Sequence, residues 1–339
     1  MKPQPGAPEA VSVNDPSAYY AGEEAPSLLW EMTVCQCLAD RDSPYLAALE
    51  RPRRYGEAVG ELLADRLGTR AFGTVVEVGG GTGSLMAAFL EVVEVSDLTM
   101  VDLSPRFLGL QEAALCGRPG VRFVVADAVE YLGRSDAPID LVVSNENIGD
   151  LRTYVNLPRD DVLRRAARRE HVLAPPDDPV GRAARLVAAY GLEGDVEGAP
   201  DTFAFNVGAV EYLEALAPRA RAVFLTEHGA DTVVPAPYRE LAELPPSDGF
   251  PRRIALKGHD EYTIRFAHLE RVARRLGYAV ERFHVMEFLG LRRDPGARSL
   301  VRVPNAQCEA AEVFREFYDH VAEYQGLLLT RPGGPGHGG

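Results

Sequence analysis

The feature that most constrains this chain is Thr74-Val-Val-Glu-Val78, followed at once by Gly79-Gly-Gly-Thr-Gly83 and then by the apolar-periodic run 84–93. The β-branched run reads as a strand, the glycines as a tight turn and the last run as a helix. The rhythm then repeats. Residues 98–101 make a second strand ending at Asp102, and 105–115 make a helix with Ser104 as cap and Pro105 in first position. A third strand over 121–125 leads into a helical turn over 126–132, and a fourth over 139–143 ends at Ser144-Asn-Glu-Asn. Strands alternating with helices at this spacing predict an α/β fold, a doubly wound Rossmann-like parallel sheet.

Outside this block the pattern is looser. Residues 1–16 and the Gly/Pro tail 331–339 bury too little to offset their ordering entropy, so both ends are expected to be disordered. Helices are expected over 27–40 and over 55–66, where Val59, Leu62, Leu63 and Leu67 recur three to four apart. After Asp150 the run 159–169 alternates Arg with Asp and reads as a solvated helix face, and 174–179 as a linker. The pattern resumes with a helix over 210–216 and a strand over 222–226, and 233–251, with five prolines, reads as a loop. A helix over 266–276, a last strand over 278–286 and a C-terminal helix over 307–328 complete the prediction. The expected organisation is a loosely attached N-terminus (1–26), a helical segment (27–70), the sheet domain (71–330) with irregular insertions near 152–206 and 229–262, and a disordered tail (331–339).

Lys and Arg total 36 against 50 Asp and Glu, a formal charge of −14. A net anion repels phosphate backbones, which tells against nucleic acid and favours a neutral or cationic partner. No segment approaches the roughly 18 uninterrupted apolar residues of a membrane span. The first residues lack both the apolar core of a signal peptide and the arginines of a transit peptide. Cys35 and Cys37 are too close for a paired zinc-ligand spacing, and Cys116 and Cys308 stand alone, so idle thiols in a reducing cytoplasm are expected and no metal. Oligomeric state leaves no trace in the sequence.

Glycines between a strand and a helix let a nucleoside ligand approach the main chain, and an acid closing the next strand is where a Rossmann-type sheet binds ribose hydroxyls. Asp102 stands there. A phosphate-binding loop needs Lys before Ser or Thr, whereas Ser84-Leu85 follow the glycines here. A dinucleotide site needs a third glycine where Ser84 stands. S-adenosylmethionine carries no phosphate, and Glu77, Gly79, Gly81 and Gly83 are in register for an E-x-G-x-G-x-G loop that fits it best. A turn without a ligand stays open. Leu103 beside Asp102, and Asp127-Ala128 after the third strand, are further cofactor candidates, Asp127 being equally suited to cap a helix.

At these residues the chain resembles the MidA-like methyltransferases. Glu77-Val-Gly-Gly-Gly-Thr-Gly-Ser-Leu-Met86 is similar to the family's E-x-G-x-G-x-G-x-L-M loop, and Asp102-Leu-Ser-Pro105 through Gln111 to its E-x-S-P-x-L-x-x-x-Q segment. Asn145-Glu-Asn-Ile-Gly-Asp-Leu151 is similar to its N-E-x-x-D-A-L-P loop, and Gly258-His259-Asp-Glu-Tyr262 echoes a His-Val-Asp-Phe segment. The likeness runs over about 55–291 and is patchy between 153 and 203. Asp102 stands for the usual Glu, the acid of the third motif sits one position late at Asp150, and the family's N-terminal motif is absent. The resemblance implies a class I fold, S-adenosylmethionine as cofactor with Asn145 among its contacts, and methylation of a protein arginine, as in the member that assists assembly of mitochondrial complex I.

Glu146, Asp150 and His259 are the expected catalytic residues. Two carboxylates facing a guanidinium would localise its charge and leave one nitrogen free as nucleophile. The alternatives for these residues are bland: Asp150 capping a helix, Glu146 in solvent, His259 and His228 as loop histidines. For the whole protein, a small-molecule N- or O-methyltransferase and a non-catalytic assembly factor that only binds the cofactor are the competing readings.

Overall fold

Among the described residues seven strands pair into one sheet: β1 (Ala71–Val78), β2 (Glu94–Asp102), β3 (Val121–Val125), β4 (Ile139–Asn145), β5 (Ala220–His228), β6 (Ala279–His284) and β7 (Tyr324–Thr330). The computed structural model describes residues 10–22, 32–134, 137–170, 175, 177–302 and 308–331. The spatial order is β6-β7-β5-β4-β1-β2-β3, with β1 to β5 parallel and β7 antiparallel between β5 and β6. Successive residues enter opposite cores. Val142 and Val223 belong to one cluster, and Leu141, Val143, Ala222 and Phe224 to the other. A sheet covered on both faces has no solvated side, which is why its strands read as unbroken apolar runs. Helices Pro179–Tyr190, Val207–Leu216 and Phe266–Arg275 contribute to the first core, and Tyr55–Leu67, Ser84–Phe89 and Glu309–Val321 to the second.

The expected doubly wound α/β sheet is present, and several details differ. Tyr278–Met286 is not the last strand, nor is 307–328 one helix: the helix is Glu309–Val321, and the chain then enters β7. The cause lies in Leu327-Leu328-Leu329, buried on both faces and therefore without the alternation that marks a strand. Gly326 is required at the crossing, since a Cβ there would lie 2.2 Å from the Phe283 ring on β6.

The stretch 152–206, expected to be irregular, holds strands Thr153–Pro158 and Thr202–Phe205 with helices Arg159–Arg168, Pro179–Tyr190 and Glu193–Glu197 between them. Residues 10–22, expected to be loose, are tied down. Ser12–Asn14 pairs antiparallel with Thr153–Val155, Asp15 accepts a bond from Arg152 Nε at 3.1 Å, and Asn14 Nδ2 donates to Asp260 O at 2.9 Å. Backbone pairing, rather than apolar burial, holds this segment, so composition alone gave no sign of it. The expectations for 1–9, 23–31 and 332–339, and for 171–174 and 176 of the linker, fall outside the described residues. In 32–40 only Val34–Cys37 is helical, its start capped by Thr33. Among the described residues no helix is long and apolar enough to cross a membrane.

Candidate active site

Strand order reverses between β1 and β4, and at their carboxyl ends lies a cavity of about 720 Å³. A doubly wound sheet opens a crevice at such a switch point. The loop after β1 forms one wall. Gly79 and Gly81 adopt φ of +67° and +51°, a region costly for residues with a Cβ. Gly79 N donates to Val101 O at 2.9 Å, pinning the loop to β2. A Cβ on Gly79 would lie 2.4 Å from Asn147 Nδ2, whereas one on Gly81 would meet nothing within 4 Å. Gly81 is thus a backbone floor with open space above it.

Glu77 is 2% exposed and its Oε2 has no hydrogen-bond partner among the described residues. Burial, and then the charge of Asp102, push its carboxyl up to about 8. Asp102 is raised to about 6 by burial, against bonds that favour its charged form. Its Oδ1 accepts from Ser104 N at 2.9 Å and its Oδ2 from Gln111 Nε2 at 2.8 Å. Gln111 Nε2 also donates to Gly81 O at 3.2 Å, so one buried amide ties the acid to the glycine loop. Leu103, Asp127 and Ala128 line the same wall. Asp127 also caps helix Ala128–Gly133, accepting from Glu130 N at 2.9 Å. Gly83 does not line the cavity; a Cβ there would come within 3.0 Å of Gln111 Cα, so its role is close packing.

The far end of the cavity is acidic. Asn145 and Glu146 end β4 and begin the following loop, and Asn145 Oδ1 accepts from Thr226 Oγ1 at 2.6 Å. Glu146 holds φ at +49°, a strained value for a residue with a Cβ. Its carboxylate is enclosed, and four donors reach it: Tyr324 OH at 2.9 Å, Asn145 Nδ2 at 3.0 Å, Val34 N at 3.3 Å and Cys35 N at 3.4 Å. Glu146 therefore does not sit in solvent. Burial raises its pKa against those bonds. Asp150 also lines the cavity, and its Oδ1 lies 3.4 Å from His259 Nε2, outside hydrogen-bond alignment.

His259 stands behind Asp150 and is not part of the cavity wall. Its ring stacks on Tyr19 at 4.4 Å and its Nε2 lies 3.1 Å from Tyr20 OH and 3.7 Å from Glu261 Oε1. Burial lowers its pKa, but the Asp150 and Glu261 carboxylates outweigh that and hold it at about 9. The ring is a cation at neutral pH.

Several cavity residues escaped the sequence reading. Glu227 at the end of β5, Glu261 on strand Asp260–Tyr262, Tyr324 on β7, and Tyr20, Cys35 and Gln36 from the N-terminal segment all line the site. Gln111 was visible as the last residue of its motif, and Glu227 follows the expected strand 222–226. The others come from segments without a local signature. The Cys35 thiol, 3.1 Å from Ser84 Oγ, is pushed up to about 12 by burial, which keeps it protonated and inert.

A methyl donor with a nucleoside and an amino-acid end fits these walls. An open glycine floor, an unpartnered buried carboxyl oxygen at Glu77 and the Asp102 carboxyl on the cavity wall are the groups it needs. Residues 75–169 match a family model described as a methyltransferase domain. Fold, site and this match define an S-adenosylmethionine-dependent methyltransferase. A comparison with curated proteins gives no match. Among solved structures, an uncharacterized ACR protein from Burkholderia thailandensis is 16% identical, with 93% of this chain and 92% of that chain covered and a TM-score of 0.50. That likeness is one of fold. An S-adenosylmethionine-dependent methyltransferase from Clostridium acetobutylicum aligns over 82% and 91% at 9% identity and TM-score 0.41, and a putative one from Listeria monocytogenes over 81% and 98% at 12% and 0.42.

Proposed function

We propose that this methyltransferase acts on a cationic nitrogen, and specifically, in the MidA-like manner, on the guanidinium of a protein arginine. The observation that carries this is the excess of acid at the far end of the cavity. Of the acids lining it, Asp15 is matched by Arg152 and Glu211 by Arg182. Glu146, Asp150, Glu227 and Glu261 have no arginine or lysine partner among the described residues; Asp150 and Glu261 share the one imidazolium of His259, at 3.4 and 3.7 Å, so four carboxyl groups face a single cation. Carboxylates in a low-dielectric cleft attract a cation more strongly than a neutral acceptor, which offers them hydrogen bonds but no compensating charge.

On this reading the glycine loop and Glu77 receive the amino-acid end of the cofactor, Asp102 with Leu103 the ribose, and Asp127 with Ala128 the adenine. Asn145 closes the floor beside the reacting carbon. S-adenosylmethionine supplies a sulfonium-activated methyl group; the chain's task is alignment and exclusion of water. Glu146, held by four donors, sets the shape and charge of the acceptor wall, and Asp150 faces the acceptor with His259 fixing it from behind.

One observation favours a small-molecule acceptor. Tyr20, Met32, Thr33, Cys35 and Gln36 cover the cavity from the N-terminal side, and Ile254 and Leu256 flank it. A free small molecule fits beneath such a cover more readily than a protein segment does. Incubation with radiolabelled cofactor and host lysate, followed by size fractionation, separates the two. Label on protein, released as methylarginine by acid hydrolysis, supports the arginine reading; label only in the small-molecule fraction overturns it. Cofactor binding with no label in either fraction would leave an assembly factor.

A further inference from the structure

Glu146 spends the roughly four lone-pair directions of its carboxylate on the four donors described above. An incoming cation finds few free acceptor sites on it. The situation of Glu227, Glu261 and Asp150 is different. Glu227 is 3% exposed, and among the described residues its oxygens accept only from Gly149 N at 3.0 Å and His228 N at 2.9 Å. The Oδ1 of Asp150 is buried and has no hydrogen-bond partner among the described residues. Glu261 faces the cavity with His259 as its nearby cation, at 3.7 Å. Three carboxyl groups from three separate elements thus converge on one end of the cavity with fewer donors than they have lone pairs.

Resting on the nitrogen-acceptor reading above, we infer that Glu227 and Glu261, with Asp150 beside them, are the seat of the acceptor's positive charge and the destination of the proton it loses. Two buried carboxyl groups that repel one another do not both ionise while the seat is empty. In keeping with this, burial and mutual repulsion raise Glu227 well above the usual carboxylate range, and burial and Asp150 raise Glu261 to about 7. The titratable groups facing the pair are Asp150 from the loop after β4, His228 from the end of β5, His259 from the hairpin, Tyr55 from helix Tyr55–Leu67 and Tyr324 from β7.

A cation entering the seat supplies the charge that lets the pair ionise, so it displaces a proton to solvent. In the transfer itself the acceptor nitrogen gives its lone pair to the methyl carbon as the carbon–sulfur bond breaks. That bond's electron pair stays on sulfur, and the proton on the nitrogen passes to a carboxylate oxygen of the pair. Charge and atoms balance with no further reagent.

The test is calorimetry on the full chain saturated with S-adenosylhomocysteine, titrated with methylguanidinium near pH 7 in two buffers of different ionisation enthalpy. Wild type should release about one proton per methylguanidinium bound. In Glu261→Gln and in Glu227→Gln the release should fall below about half and the affinity about tenfold or more. Unchanged S-adenosylhomocysteine affinity in either variant shows that the site's donor half is intact. Binding to wild type without proton release, or full release in both variants, overturns the pair. So does tight one-to-one Mn²⁺ binding in place of methylguanidinium, since Asp150, His259 and Glu261 bring ligand atoms within 4.8 Å of one another. Methylguanidinium binding with proton release, but no arginine methylation in lysate, supports the seat and defeats the proposed acceptor. Arginine methylation without release does the reverse.

Discussion

In the donor half of the cavity a ligand meets mostly backbone: the Gly79–Gly81 turn, the loop after β2, the start of helix Ala128–Gly133. In the acceptor half it meets carboxyl groups carried by β5, the loop after β4 and the hairpin Arg253–Tyr262, under a cover of N-terminal residues. The first half is contiguous in sequence and fixed by turn geometry. The second is gathered from distant segments and fixed by who neutralises whom. On the proposed reading two kinds of recognition follow: shape for the cofactor, charge for the acceptor. Substitutions should separate them, with donor-side changes moving cofactor affinity and acceptor-side changes moving turnover.

The largest effect is expected from Gly81→Val. A branched side chain at φ +51° is strained, and it would fill the open floor, so S-adenosylmethionine affinity should fall about 100-fold or more by calorimetry while circular dichroism stays native. Retained affinity would show that the floor is not where the cofactor lies. On the acceptor side, Glu146→Gln keeps shape but removes charge. Turnover should fall at least about tenfold, about 1.4 kcal/mol, with the cofactor dissociation constant nearly unchanged. Loss of cofactor affinity instead would erase the division between the halves.

Glu77 sits on the boundary and should show it through pH. Its folded-state pKa is raised from 4.5 to about 8, so between those values the folded protein binds the extra proton. Its contribution to stability is full below the unfolded value and is lost as pH rises through about 8. The cofactor-free wild type should therefore lose stability across that window. Glu77→Gln should flatten the slope and raise Tm at pH 8 by about 2 °C or more, while weakening cofactor binding. A slope identical to wild type would place the titration elsewhere. The smallest effect belongs to Tyr324→Phe, which removes one of Glu146's four donors. Turnover should fall roughly threefold to tenfold, about 0.7–1.4 kcal/mol, the scale of one ordinary hydrogen bond, because three other donors still hold Glu146. Unaltered turnover would make that phenol a packing group only.

The donor half was legible because its physics is local. A β-branched run, positive-φ glycines, an acid at a strand end and a Ser-Pro helix start each announce themselves within a few residues. Gln111 was legible only as part of a motif. The acceptor half was half legible: Glu146 and Asp150 follow a strand end, so strand logic places them at the crevice. Glu227 follows the expected strand 222–226 and was open to the same logic, whereas Glu261 and Tyr324 have no such marker. Tyr324 opens a strand that apolar continuity with Glu309–Val321 disguised as helix. His259 carries the marks of a catalytic residue in the sequence, yet it stands one layer behind the wall.

The threading of β7 between β5 and β6 has a consequence for how the chain is made. Among the described residues β6 has no neighbour in the sheet except β7, and β7 joins it to β5. During synthesis the glycine loop and the first strands emerge early and satisfy one another's backbone groups. Until residues 324–330 leave the ribosome, however, β5 keeps an open edge and Glu146 lacks its phenol donor. The nascent protein would thus be able to hold its cofactor pocket before it has a finished acceptor wall. The wall around Glu146 closes only when β7 docks against β5.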